Sequence, residues 1–220
     1  MSSVATGYGL KPLNLIGGQP YNGGAIREIK VAANNAAAIF NGDLVVLSSA
    51  GLPSAVSSSP VAVKIPVTSA DATPGIIGVC VGARYVNAST KQPVYNNYLP
   101  ANLITGGATD VWLLVADDPD MLFQIKGSAA LGTFNSGTNG SGWPGAIGKN
   151  TTLTFNAGST TTGLSGVVAT VGTNGATLAA TATLAVRIVD VVRGTEADAY
   201  PEFIVTLNAG VHAYRNSLGV

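Results

Sequence analysis

The sequence predicts an all-β fold, a barrel or sandwich core with long loops and an extended N-terminal arm, and three observations predict it. Short runs rich in Val, Ile, Thr and aromatic residues recur along the chain. Clusters of Gly, Pro, Asn and Ser separate them, and almost no stretch carries the 3.6-residue apolar spacing of a helix. With 28 glycines and 11 prolines in 220 residues, few segments can sustain a helix interior.

Residues 1–24 read as the arm. Gly7, Gly9, Gly17, Gly18, Gly23, Gly24, Pro12 and Pro20 oppose a helix, while Tyr8, Leu10, Leu13, Leu15, Ile16 and Tyr21 are too apolar for a purely solvated tail. Such a segment is expected to bury little against its own domain and to be ordered by a partner, so that its removal leaves the domain folded; the alternative is that it plugs its own domain or swaps within its own oligomer.

Residues 25–220 then form a single β domain. Arg27, Ile29 and Val31 alternate with Glu28, Lys30 and Ala32, the period-two pattern of a half-buried strand. Residues 34–40 (NNAAAIF) allow one short helical turn, and Asn41-Gly42-Asp43 supplies a turn before the run Leu44–Leu47. Further strands are expected at Val61–Val67, Gly75–Arg84, Val111–Val115, Met121–Ile125, Leu153–Phe155, Leu184–Val192 and Glu202–Leu207, with a weak hairpin near Val167–Val171. Long loops fall at Asn87–Gly107, Ser136–Asn150 and Asn156–Ala182, and loops of this length usually bind something or stay disordered.

The composition excludes several kinds of function. Eleven basic and 11 acidic residues make 10% charged, against a typical figure of about 25%. No basic stripe suits nucleic acid, and no apolar run approaches the roughly 20 residues that cross a bilayer. The N-terminus lacks the basic and apolar regions of a signal peptide. Cys80, the single cysteine, lies in the apolar run Ile76–Val81 and reads as a small buried hydrophobe.

His212, the single histidine, suits a surface or packing role, since no Gly-x-Ser-x-Gly elbow accompanies it and one His with one Cys does not make a zinc site. Asp117-Asp118-Pro119-Asp120 reads as the turn of a hairpin between Val111–Val115 and Met121–Ile125, in preference to a calcium loop. Gly140, Gly142 and Gly145 spell Gly-x-Gly-x-x-Gly, but a Gly/Asn/Ser loop precedes them and Pro144 sits inside, so no dinucleotide site is expected. Trp112 is expected in the core, and Tyr95, Tyr98 and Trp143 at a protein interface. No catalytic residue, cofactor or metal site is read from the chain, and it is expected not to be an enzyme.

Several segments together resemble the head decoration, or capsid cement, proteins of tailed bacteriophages. They are Lys11-Pro12 leading to Gln19-Pro20-Tyr21-Asn22-Gly23, then Asn41–Val45, Thr73–Val79, Ala116–Phe123, and Asn208 through His212, Tyr214, Arg215 and Asn216. The resemblance covers most of the chain in short motifs that carry no catalytic residues. It implies a β-tulip-like or small-barrel core, a place on the outer surface of the virion after synthesis in the bacterial host cytoplasm, and the major capsid protein as partner. It also implies a homo-oligomer, a trimer before a dimer, with no nucleic acid or membrane contact. Tyr8, Leu10, Leu13, Leu15, Ile16 and Tyr21 are then the first candidate coat contacts, and Tyr95, Tyr98 and Leu99 the second. The competing expectation is a carbohydrate-binding or adhesive β module of a phage tail or cell surface.

Overall fold

A computed structural model describes residues 4–21, 26–33, 35–48, 61–64, 75–132, 143–172, 175 and 177–215. Among them the strands are β1 (Lys11–Leu15), β2 (Ile26–Lys30), β3 (Leu44–Ser48), β4 (Val61–Lys64), β5 (Ile76–Val86), β6 (Pro93–Asn96), β7 (Thr109–Ala116), β8 (Met121–Lys126), β9 (Asn150–Thr151), β10 (Leu153–Thr154), β11 (Val168–Ala169), β12 (Val186–Val191) and β13 (Glu202–Leu207). The one helical turn described is α1 (Trp143–Ala146). The fold is all-β, as the alternation and the turn residues predict.

Two antiparallel sheets carry the architecture. The first has the order β1-β8-β13-β12-β9, and the second β2-β7-β5-β3-β4, with β6 also paired to β5. β10 and β11 form a small separate ribbon. In the second sheet the outer strands β2 and β4 come within 8 Å of each other at their Cα atoms. That sheet therefore curls towards a barrel, and one apolar cluster fills its concave side: Ile29, Val31, Ile39, Val45, Ile77, Cys80, Leu99, Leu113 and Val115 among others. Its convex side packs on the first sheet through Leu44, Val46, Ile76, Val79 and Ala116, which meet Phe123, Ile125, Phe203 and Val205.

This double burial explains why β3 and the start of β5 read as unbroken apolar runs. A strand covered on both faces has no polar side to alternate with. In β13, which faces the core once, Phe203, Val205 and Leu207 are buried and alternate with half-exposed Glu202, Ile204 and Thr206. Gly78 sits at the irregularity between β3 and β5, where a Cβ would lie 2.1 Å from the Ala116 carbonyl oxygen. Only glycine fits there.

The N-terminal segment departs from the expected partner-ordered arm. It is extended, but β1 pairs with β8 and Leu10 is fully buried in the core between the sheets. Gly7 and Gly9 serve close approach, whereas Gly17 and Gly18 lie in the open turn after β1. Gly9 (φ +78°) crosses Gly42 (φ +94°) so tightly that a Cβ on Gly9 would stand 2.7 Å from the Gly42 carbonyl oxygen, and there Leu10 N–H donates to that oxygen at 3.1 Å. Pro12 falls on an edge strand, where its missing N–H is tolerated.

Three further expectations change. The Asp117–Asp120 segment is not a hairpin turn, because β7 belongs to the curled sheet and β8 to the other, so the chain crosses between layers there. Turn residues look alike in both settings. Residues 35–40 form no helical turn; Ile39 is bridged to Leu99 by hydrogen bonds of 3.0 and 2.7 Å, and both side chains are buried in the concave core. Trp112 lies on the open face of β7, partly exposed, since Val111, Leu113 and Val115 take the inward positions. Part of Val61–Val67, and residues 136–142 of the second long loop, lie outside the described residues.

Leu10→Ala is expected to lower stability by roughly 2–5 kcal/mol, the usual cost of emptying a leucine site in a core. Urea denaturation followed by tryptophan fluorescence measures it, and an unchanged midpoint would show that the segment is dispensable. Asp43→Ala, which strips the acceptor from Phe40 N–H and Ser165 Oγ, is expected to destabilise by at least about 1–3 kcal/mol in the same assay.

Candidate interaction surface

The nine candidate contact residues separate into withdrawn and presented groups. Leu10 and Leu99 are fully buried in the two cores and offer a partner nothing. Leu15 and Tyr21 are half-buried against the core between the sheets, and Leu13 is half-buried in β1. Tyr8 is half-buried facing Gln124 and Glu202, although among the described residues no hydrogen bond of good geometry reaches its hydroxyl. Burial first, and the Glu202 charge second, raise its phenol pKa well above the ordinary value. Tyr98 stacks on Phe40 with ring centroids 5.2 Å apart. Ile16 (54% exposed) and Tyr95 (72%) are the two that stand open.

Ile16 is open because it begins the turn after β1. Leu15 N–H bonds to Gln19 C=O and Ile16 N–H to Asp120 C=O, which fixes the backbone and leaves the side chain outside. Exposed large apolar residues that the sequence did not single out are Val4, Ile147, Leu164 and Tyr214, and Trp143 joins them on α1 at 41% exposure. Their signal was weak because each lies singly in a polar or glycine-rich setting.

Tyr95 belongs to a more organised surface. The register places Lys30 opposite Trp112, Trp112 opposite Arg84, and Arg84 opposite Tyr95, one row across β2, β7, β5 and β6. Arg84 bonds both Glu28 carboxylate oxygens (3.3 and 3.1 Å) and Asp110 (3.0 Å), and its guanidinium lies 5.8 Å from the Trp112 ring centroid. The Trp112 indole N–H donates to Asp110 at 2.6 Å. Asp110 adopts φ +52° beside an irregularity in the β5–β7 pairing, and this left-handed backbone accompanies its bonds to both neighbours. The Trp112 bond first, and the Arg84 bond second, hold its carboxyl below the ordinary pKa.

A second polar cluster clasps the C-terminal segment. Asp117 pairs with Arg27 at 2.8 Å and accepts from Tyr214 Oη at 2.9 Å, while Arg215 pairs with Asp120. The Arg27 guanidinium lies 5.3 Å from the Tyr214 ring centroid. Asp118 turns inward on its own loop and accepts from Asp120 N–H at 2.8 Å. The acidic run is thus a docking corner for residues 211–215. Among the described residues no group of three or more His, Cys, Asp or Glu side chains is placed to hold a metal ion.

His212 lies beneath this corner with no exposed surface. Its Nδ1 accepts from Tyr214 N–H at 3.2 Å, which assigns the ring proton to Nε2, and Nε2 has no partner among the described residues.

Comparison with protein-family models, with curated proteins and with solved structures finds no match.

Burial first, and the Arg215 charge second, lower the His212 pKa from its ordinary 6.5, against the opposing pull of Asp118 and Asp120. The unfolded chain then takes up this proton before the folded chain does. Stability carried by neutral His212 is complete above pH 6.5 and is lost as pH falls from there through the folded value. Asp117, whose pKa is raised chiefly by burial, contributes in the opposite sense and starts from 3.8. The denaturation midpoint is expected to fall as pH drops through 6.5, and His212→Gln to flatten that slope. A slope unchanged by the substitution would assign it to other groups.

Proposed function

We propose that this chain is a non-enzymatic virion structural protein that binds the outside of a phage head and cements neighbouring coat subunits. The observation that carries the reading is a set of open apolar side chains, Ile16, Val4, Trp143 and Ile147 among them, on a chain with only 10% charged residues and no net charge. Weak charge gives a free monomer little protection against association, and coverage by partners resolves that liability. The motif resemblance supplies the phage head as the setting.

With Lys11–Leu15 paired into the chain's own sheet, attachment runs through side chains at the turn after β1. Lys11 and Pro12 in β1 also blunt that sheet edge against main-chain pairing. Ile16 is the leading coat contact. A homo-oligomer, a trimer before a dimer, multiplies such contacts, because one bound subunit raises the effective concentration of the next.

Co-sedimentation of the purified chain with undecorated phage heads tests this reading. Binding is expected to be saturable, to weaken about tenfold or more in Ile16→Ser, and to change less than about tenfold between low and high salt, since few charges contribute. Failure to sediment with any head, or a steep loss of binding on adding salt, overturns it.

A further inference from the structure

We propose that the outer face of the curled sheet around Tyr95, Arg84 and Trp112 is a binding site for a neutral oligosaccharide. The inference does not depend on the head-binding reading, which is placed on Ile16.

The row Lys30–Trp112–Arg84–Tyr95 crosses four strands and so spans about 14 Å, long enough for several sugar rings and too open for a single one. It alternates cations with aromatic rings, and Tyr95 at its end is 72% exposed. Aromatic rings offer flat apolar surface that the C–H faces of pyranose rings cover, while the Tyr95 hydroxyl and neighbouring polar groups stay available for hydrogen bonds. Glu28 and Asp110 supply acceptors beside the row, and Lys30 a donor. Hydroxyl groups, which both donate and accept, match that mixture.

The charges decide between ligand classes. Lys30 and Arg84 are balanced by Glu28 and Asp110, and Arg84 is already engaged by both carboxylates. An anionic ligand, nucleic acid included, finds no uncompensated positive charge here. A protein partner would bury two ion pairs under its own surface, where interface cores are usually depleted of charge and desolvation opposes binding. A polyhydroxyl ligand instead leaves those pairs hydrogen-bonded. The site is also preorganised: three hydrogen bonds hold Arg84 and one holds the Trp112 indole, so little side-chain freedom remains to be lost on binding.

The test uses the full chain with tetra- to hexasaccharides of glucose, mannose and N-acetylglucosamine, read by saturation-transfer NMR and by tryptophan fluorescence. At least one series is expected to bind saturably. Tyr95→Ala should weaken that binding about tenfold or more with the melting temperature unchanged, because the ring is exposed. Asp110→Asn, which keeps the shape and removes the charge, should also weaken it. Ile16→Ser should leave saccharide binding intact even where it abolishes sedimentation with heads, which separates the two proposals. Absence of saturable binding in every series overturns the inference, as does binding that survives Tyr95→Ala. Loss of head attachment or of self-association in Tyr95→Ala, with no saccharide bound by the parent chain, also overturns it and makes the face a protein interface.

Discussion

Asp43 is buried where several stretches of chain meet, and its carboxylate ties them together. One oxygen accepts from Phe40 N–H at 2.8 Å and the other from Ser165 Oγ at 2.6 Å. Its backbone carbonyl takes Cys80 N–H, while Gly42 N–H donates back to Cys80 C=O, both at 2.8 Å. Ser165 in turn receives Val167 N–H, and Val167 C=O receives Gly9 N–H. A buried carboxylate is tolerable only when its lone pairs are satisfied, and hydrogen bonds to a charged group exceed neutral ones in strength. Through this group the entry to β3, the middle of β5, the loop before β11 and the N-terminal segment acquire one fixed arrangement. Leu10 reaches the core because the backbone beside it is anchored there.

What the chain spells out locally could be read, and what depends on distant partners could not. The runs around Leu44–Leu47, Gly75–Arg84 and Glu202–Leu207 appear as β3, β5 and β13 because β-branched composition and flanking turn residues act over a few positions. β1 was hidden because Lys11 to Leu15 contains Pro12 and sits among glycines, and only pairing with β8 makes it a strand. β6 was hidden inside a polar loop, and its pairing with β5 defines it. Asp117–Asp120 was legible as a turn but not as a crossing between sheets, since the geometry that separates the two lies in strands far away in sequence.

The candidate surface shows the same division. Tyr95 and Ile16 stand exposed, whereas Leu99 is buried because its backbone pairs with Ile39. The Arg84–Glu28–Asp110–Trp112 constellation had no local signature. Its members are spread from residue 28 to residue 112 and become neighbours only through strand register. Alternation then explains why they share a face: Arg84 and Trp112 are the outward positions between inward Ala83, Tyr85, Val111 and Leu113.

The order of strands in the first sheet also bears on when the molecule can form during synthesis. β8 lies between β1, near the beginning of the chain, and β13, near its end, while Ile76 at the start of β5 is bridged to His212. Neither the sheet nor the core beneath it is complete until Glu202–Leu207 has left the ribosome. Until then Phe123, Ile125 and the open edge of β8 have no permanent cover. Pairings this distant are slow to form, and partly built sheets of this kind aggregate readily. Synthesis is thus the period in which these apolar side chains and this strand edge stand most exposed.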